Sequence, residues 1–166
     1  MSSGILICPM NMPALSVENA ARLLEQRLRP AIRGTIRTSS HERMLYSTDA
    51  SIYQIEPLGV VHPAAIDEVP VITRFCHENG LPILPRGGGT SLPGQCVNRA
   101  IVVDYSPTCR KLLQVNQQER WCLTEPGITV DELNRQLAST GLFFAPDPAT
   151  SAQCAIGGCI GNNAAG

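Results

Sequence analysis

The chain has 166 residues, 43% of them hydrophobic, and its 13 Lys and Arg nearly balance 14 Asp and Glu, giving a net charge of −1. This length and composition predict one domain with a sizeable hydrophobic core, or two small lobes, and exclude a disordered chain. The balanced charge argues against a broad nucleic-acid-binding face, and no apolar run approaches the roughly 20 residues that a membrane-spanning helix requires.

Helices and strands alternate along the predicted structure. In chain order, the sequence predicts a helix over 16–29, a short helix over 40–47, a strand over 58–61, a helix over 67–79, strands over 81–85 and 100–104, a hairpin of 112–116 with 121–125, and a helix over 129–139. Ser16, Asp67 and Thr129 are the expected N-caps of the three longer helices. Gly80 is expected to end the middle one, and Glu132 to complete a capping box at Thr129.

This order of elements predicts an α+β fold with one small, mostly parallel sheet and additional antiparallel strands. The continuous apolar run of residues 100–104 is typical of a strand that is buried on both faces. We expect a boundary near residue 50, between an N-terminal helical arm over 1–50 and a sheet-containing unit over 51–166.

Seven cysteines are scattered along the chain without a CxxC pair. This pattern argues against a disulfide framework and against a zinc site, so we expect no metal site and interpret the cysteines as mostly buried hydrophobic residues in a reducing compartment. Charged residues make up only 16% of the chain, against about 25% in an ordinary soluble domain. We therefore expect part of the surface to be covered by a ligand, a partner or a further stretch of chain.

The first glycine-rich loop, residues 85–95 with the sequence PRGGGTSLPGQ, directly follows a predicted strand. Its three consecutive glycines lack Cβ atoms, so successive backbone N–H groups can converge on one anion. Two hydroxyl residues after the glycines and an arginine before them favour a phosphate or pyrophosphate. The loop is neither a Walker A loop nor a Rossmann fingerprint, and the alternative interpretation is an ordinary surface turn.

The second glycine-rich loop, residues 146–166, has the sequence PDPATSAQCAIGGCIGNNAAG. A rigid Pro-Asp-Pro segment precedes small residues that allow a flat or extended ligand to lie close to the backbone. The alternative is a packed turn followed by a helix that needs small residues for close contact. Two such loops in one chain favour a dinucleotide over a single phosphate, which leaves both FAD and NAD(P) open.

No catalytic set is recognised in the sequence. His41, His62 and His77 are interpreted as structural, Asp147 as a residue that organises its own turn, and Trp121 as a core residue of a strand. Because there is no Ser-His-Asp arrangement, no pair of carboxylates and no strong general base, we assign no catalytic residue.

Three segments resemble the FAD-binding domain of the vanillyl-alcohol oxidase and p-cresol methylhydroxylase (PCMH) superfamily. They are YSTDASIY over 46–53, PRGGGTSLPGQ over 85–95 and IGGCIGNNAAG over 156–166, within a resemblance that covers 40–166. The chain is most similar to FAD-linked D-2-hydroxyacid dehydrogenases of the D-lactate and glycolate type, in particular to large bacterial proteins with a C-terminal iron–sulfur region. The resemblance selects FAD over NAD(P) and implies a partial PCMH-type FAD-binding domain.

The resemblance also implies which residues contact FAD, with the first loop around the pyrophosphate and the second along the isoalloxazine and ribityl side. The expected contacts are Arg86, Gly87, Gly88, Gly89, Thr90, Ser91, Gly94 and Gln95 in the first loop, and Pro146, Thr150, Ser151, Gly157, Gly158 and Asn162 in the second. Relatives that bind the flavin covalently through the first loop carry a histidine at the position of Thr90, so the resemblance implies non-covalent FAD.

Relatives continue beyond the position of Gly166, so we expect this chain to be the N-terminal part of a longer flavoenzyme and to be nearly inert by itself. The resemblance implies hydride transfer from a D-2-hydroxy acid, such as D-lactate or glycolate, to FAD. Electrons would pass to a quinone, a cytochrome or an iron–sulfur centre of a cytoplasmic or peripherally membrane-attached protein. The alternatives are another enzyme of this fold, such as a UDP-N-acetylenolpyruvoylglucosamine reductase or a molybdenum hydroxylase flavin subunit, and a non-catalytic module that docks a partner.

Overall fold

A computed structural model describes residues 16–164, in which a four-stranded sheet and a two-stranded hairpin are combined with five α-helices. The helices are Val17–Leu23 (α1), Ser40–Met44 (α2), Val69–Glu78 (α3), Val130–Leu137 (α4) and Ile156–Gly161 (α5), and the strands are Thr35–Arg37 (β1), Gly59–His62 (β2), Ile83–Arg86 (β3), Ile101–Asp104 (β4), Leu112–Asn116 (β5) and Trp121–Thr124 (β6). Cys8 lies outside the described residues. Within residues 16–164, no helix combines the length and the apolar character that a membrane crossing requires.

The four-stranded sheet has the order β1-β2-β4-β3. Strands β2, β4 and β3 run parallel, whereas β1 is antiparallel to β2 at one edge. Val102 of β4 is paired with Val60 on one side and with Leu84 on the other, and all four residues of β4 are buried. The predicted α+β architecture, with a small, mostly parallel sheet around the apolar run 101–104, is confirmed.

The first helix and the sheet share one hydrophobic core. Leu24 and Leu28, on the π turn that continues α1, pack with Ile72 of α3 against Val61 and Val103 of the sheet. A second cluster joins α4 and α5 to the hairpin β5–β6. The predicted boundary near residue 50, between units 1–50 and 51–166, stays a prediction. Described residues from both sides of it pack together in the first core.

Local hydrogen bonds confirm some predicted helix ends. The Ser16 hydroxyl accepts from the backbone N–H of Asn19, as expected of an N-cap. Gly80, which follows the C-cap Asn79 of α3, has a φ of +63°, which glycine adopts without strain. The hydroxyl of Thr129 accepts from the N–H of Glu132, but the Glu132 carboxylate pairs with Arg110, so the predicted capping box is only half formed.

Other predicted details are wrong. The second helix begins at Ser40 as predicted, with Ser39 as its N-cap, but it ends at Met44 and not at residue 47. Asp67 lies within a 3-10 turn before α3 and pairs with Arg33 at 2.9 Å instead of capping the helix. The Trp121 side chain is 41% exposed, because one face of the two-stranded hairpin is uncovered in the described part of the chain.

Candidate functional site

The two glycine-rich loops contact each other through their backbones. A Cβ added to Gly87 would lie 2.6 Å from the Cβ of Ala155, and one added to Gly88 would lie 1.9 Å from the carbonyl oxygen of Gln153. Side-chain atoms do not approach neighbours so closely in packed proteins. These two positions therefore require glycine, and the structure brings together the loops that the sequence singled out.

Positive φ angles shape the first loop. Gly89 has a φ of +67° and Gly94 a φ of +83°, a region that residues with a Cβ rarely adopt. A Cβ on Gly94 would also lie 2.5 Å from the ring of Tyr53. The loop consequently turns sharply after β3 and closes against the segment 46–53.

Several backbone amides of the first loop are available to a ligand. Within residues 16–164, no carbonyl oxygen accepts a hydrogen bond from the N–H groups of residues 87–91. Buried or half-buried amides in native proteins nearly always have a partner. A run of unpartnered amides around a left-handed glycine forms the kind of concavity that binds an anion.

Arg86 stabilises the first loop through hydrogen bonds to neighbouring backbone carbonyls. Its guanidinium donates to the carbonyl oxygens of Cys96 and Thr48, both at 2.9 Å, and lies 5.2 Å from the centre of the Tyr46 ring. A Cβ on Gly89 would lie 2.6 Å from one guanidinium nitrogen. The charge is thus next to the glycine turn as expected, and its hydrogen bonds fix the surrounding backbone.

The segment 46–53 is hydrogen-bonded to the first loop and to the residue that follows it. The backbone N–H of Ala50 donates to the carbonyl of Gly89 at 3.0 Å, and the Asp49 carboxylate accepts from the N–H of Cys96 at 3.1 Å and of Ser51 at 2.9 Å. Burial raises the pKa of Asp49, but these hydrogen bonds and the charge of Arg86 outweigh it, leaving the pKa below its usual value. The Asp-x-Ser spacing of an Asx turn was the available sequence signal for this role.

Tyr46, which lies beside the Arg86 guanidinium, belongs to a buried polar network. The Tyr46 hydroxyl donates to Asp104 Oδ2 at 2.8 Å and also lies 2.8 Å from His62 Nε2. Burial, followed by the negative charge of Asp104, raises the pKa of Tyr46 well above its usual value, whereas burial lowers the pKa of His62. A lowered pKa favours the neutral imidazole of His62, which is hydrogen-bonded and agrees with its structural interpretation, and His41 and His77 are exposed.

Two cavities flank the first loop, one of about 650 Å³ and one of about 400 Å³. Eleven of the predicted contact residues line at least one of them: Arg86, Gly87, Gly88, Gly89, Thr90, Ser91, Gln95, Thr150, Gly157, Gly158 and Asn162. Gly94, Pro146 and Ser151 line neither.

Ser91 and Ser151 stabilise turns within the loops. The buried Ser91 hydroxyl donates to Oε1 of Gln95 at 3.0 Å and accepts from the N–H of the same residue. The N–H of Ser151 donates to the carbonyl of Pro148, and its carbonyl accepts from Asp131. The sequence did not reveal Tyr105 and Pro126, which line the smaller cavity and leave no distinctive pattern in the sequence.

The sequence pattern of the family described as FAD binding domain matches residues 57–166. This chain belongs to that FAD-binding domain family. Residues 87–91 form a cradle that fits the pyrophosphate of FAD. Within residues 16–164 their amides have no carbonyl partner, Gly89 is left-handed, and all five residues border a cavity shared by the two loops.

Two relatives of this FAD-binding domain are named for hydroxy acids. The D-2-hydroxyglutarate dehydrogenase of Escherichia coli is 36% identical over 153 residues, which are 90% of this chain and 15% of that protein. The glycolate oxidase subunit GlcD of Bacillus subtilis is 34% identical over 130 residues, 77% of this chain and 28% of that protein. The chain thus spans only a small part of the relatives it matches.

A solved structure of p-cresol methylhydroxylase is similar in fold, with a TM-score of 0.62 at 18% identity over 89% of this chain and 28% of that one. The similarity confirms the predicted fold of a partial PCMH-type FAD-binding domain. The individual FAD contacts assigned to the two loops, and the iron–sulfur region expected elsewhere, remain predictions.

Proposed function

We propose that this chain binds FAD non-covalently and places the pyrophosphate on the backbone amides of residues 87–91. The supporting observation is that these amides have no carbonyl partner within residues 16–164 and border a cavity shared by both glycine-rich loops. Thr90 offers a hydroxyl where a histidine would be needed for a covalent bond to the flavin. Bound FAD supplies a two-electron acceptor that takes up a hydride.

Each loop has its own task in this proposal. Gly87, Gly88 and Gly89 present their amides to the pyrophosphate, while Arg86 supplies positive charge and holds the loop in shape. The second loop contributes the opposite cavity wall, where Thr150, Gly158 and Asn162 lie beside the glycines.

FAD binding is tested by adding excess FAD to the purified chain, desalting it, recording the visible spectrum and then precipitating the protein with acid. We expect flavin absorbance that survives desalting and moves to the supernatant on precipitation. Colour in the pellet would contradict non-covalent binding. Absence of retained flavin, confirmed by titration of flavin fluorescence, would contradict an FAD site formed by these residues.

We further propose that this FAD site serves the oxidation of a D-2-hydroxy acid, with D-2-hydroxyglutarate as the leading substrate and D-lactate and glycolate as alternatives. In its support, relatives that are 36% identical over 90% of this chain carry the name D-2-hydroxyglutarate dehydrogenase. Groups that contact the substrate are not assigned to this chain, because the described residues contain no recognised acid–base set beside the two loops.

A chimera tests this second proposal. The matching segment of the Escherichia coli D-2-hydroxyglutarate dehydrogenase is replaced by this chain, and FAD content and oxidation of D-2-hydroxyglutarate are measured. We expect the chimera to retain both. A folded chimera that binds FAD but oxidises none of the three hydroxy acids would contradict the substrate class while leaving FAD binding intact.

A further inference from the structure

Two cysteine thiols lie in contact at the edge of the larger cavity. The sulfur atoms of Cys154 and Cys159 are 3.1 Å apart, and the two residues are 8% and 3% exposed. Both line the larger cavity, which the glycine triplet also lines. The pair is therefore shielded from bulk solvent but adjacent to a space that a small reagent can enter.

The backbone around α5 fixes this contact. Ala155 is the N-cap of α5, so Cys154 precedes the cap and Cys159 is the fourth helical residue, the two positions that form a hydrophobic staple. The Cys154 carbonyl accepts from the N–H of Val130 at 3.1 Å, and the N–H of Cys159 donates to Ala155 at 3.0 Å. The fold thus holds two oxidisable thiols where a staple ordinarily holds inert apolar side chains.

We propose that Cys154 and Cys159 are a redox modification site that forms a reversible intramolecular disulfide, with a hydroperoxide as oxidant and a small thiol as reductant. A disulfide needs a sulfur–sulfur distance of about 2.05 Å, and the sulfurs are already 3.1 Å apart. The two sulfurs therefore have to approach by only about 1 Å to reach bonding distance.

The oxidation balances in two steps. The sulfur of Cys154, the more exposed of the two, attacks the peroxide: an S–O bond forms, the O–O bond breaks, and the departing oxygen takes up the thiol proton to leave as water or an alcohol. The sulfur of Cys159 then displaces the hydroxyl from the sulfenic acid, and its proton leaves with that hydroxide as water. Two thiols lose two electrons, and one peroxide gains them.

Burial, reinforced by Cys154, raises the pKa of the Cys159 thiol above its usual value. Such a thiol reacts poorly with a dissolved oxidant. Cys159 is consequently suited to the second step, in which its partner sulfur is already in contact, and the pair rather than either cysteine alone forms the site.

Mass spectrometry of the tryptic peptides of the full-length chain tests the proposal. Residues 136–166 follow Arg135, contain no Lys or Arg, and hold only these two cysteines. The protein is treated with hydrogen peroxide, denatured with an alkylating reagent and digested. We expect this peptide to carry no alkyl group and to be two hydrogen atoms lighter than the reduced, unalkylated peptide. When dithiothreitol is added after the peroxide and before the alkylating reagent, we expect both cysteines to be alkylated.

Matched variants separate the pair from other cysteines. Cys154→Ser and Cys159→Ser should each abolish the disulfide-containing peptide, whereas Cys122→Ser, which alters a half-buried cysteine beside the same core cluster, should form it at the wild-type rate. Full alkylation of both cysteines after peroxide treatment, or accumulation of sulfinic acid without the disulfide, would overturn the proposal.

A denatured control tests whether the fold is responsible. In concentrated urea the sulfurs are no longer held together, so we expect the disulfide to form at least about tenfold more slowly at the same peroxide concentration. Equal rates in the folded and the denatured chain would overturn the inference, because the five-residue separation alone would then explain the reaction.

Discussion

The Glu68 carboxylate accepts a hydrogen bond from the backbone N–H of Arg33 at 2.6 Å. The same buried carboxylate also accepts from the N–H groups of Gly34 at 3.1 Å and Ala64 at 2.8 Å. Burial raises the pKa of Glu68, but these hydrogen bonds outweigh it and leave the pKa below its usual value. One side chain at the start of α3 thereby anchors the turn that leads into β1.

Replacement of this carboxylate should destabilise the fold. Glu68→Gln removes the charge and places an NH₂ group against backbone donors, so we expect a loss of about 1–3 kcal/mol in the free energy of unfolding. The matched control is Asp67→Asn, which alters the exposed partner of the same Arg33 and should cost less than about 1 kcal/mol. Urea unfolding followed by circular dichroism measures both, and equal losses would contradict an anchoring role for Glu68.

Arg86→Lys should weaken FAD binding more than it weakens the fold. A lysine ammonium lacks the planar fork that now bonds the carbonyls of Thr48 and Cys96 simultaneously, so the glycine turn loses support while a positive charge remains. We expect about tenfold weaker FAD binding, equivalent to the loss of roughly one hydrogen bond to a charged group.

Fluorescence titration with FAD and a thermal unfolding curve measure the two effects of this variant separately. The exposed Arg99 provides the control, because Arg99→Lys makes the same chemical change at a residue outside both loops that lines neither cavity. An Arg86→Lys protein that binds FAD as tightly as Arg99→Lys would exclude a positioning role for Arg86.

Gly88→Ala should separate the two loops. The added methyl group would lie 1.9 Å from the carbonyl of Gln153, so one backbone has to move. We expect a loss of about 1–3 kcal/mol in stability together with loss of FAD binding. Gly161→Ala is the control for stability, since its Cβ meets nothing within 4 Å and a helical alanine is favoured by up to about 1 kcal/mol. Unchanged FAD affinity in Gly88→Ala would contradict the proposed cradle.

The parts of the fold that depend on local patterns were predictable from the sequence. The apolar run at 101–104 becomes the central buried strand because both of its faces are covered, and the glycines at 87–89 mark a turn that only glycine fills. Both signals lie within a few consecutive residues. They do not depend on knowing which distant segments come into contact.

Long-range hydrogen bonds were not predictable in the same way. Asp49 is hydrogen-bonded to Cys96, 47 positions away, and Tyr46 to Asp104, 58 positions away. The sequence marks the segment 46–53 but does not show which distant residues its side chains bond, and only the folded chain brings the partners together. The prediction of Asp67 as an N-cap was wrong for the same reason. Its carboxylate pairs with Arg33, a residue distant in the sequence, and does not cap the helix.

Stability should fall as the pH decreases through the ordinary pKa of histidine. Burial lowers the pKa of His62 from 6.5, with the Asp104 charge opposing it, so the folded chain binds fewer protons at this residue than the unfolded chain. The stabilisation is complete above pH 6.5 and is lost as the pH falls from there toward the lower pKa of the folded state. The contribution of Glu68 is lost only below its ordinary pKa of 4.5.

Urea unfolding at about pH 7.5 and about pH 5.5 brackets the histidine transition without reaching that of the carboxylates. His62→Gln is the control, since glutamine preserves a donor near the Tyr46 hydroxyl but has no proton to gain. We expect the wild-type chain to lose stability between the two pH values and the variant to lose clearly less. Equal losses in the two proteins would show that groups other than His62 cause the pH dependence.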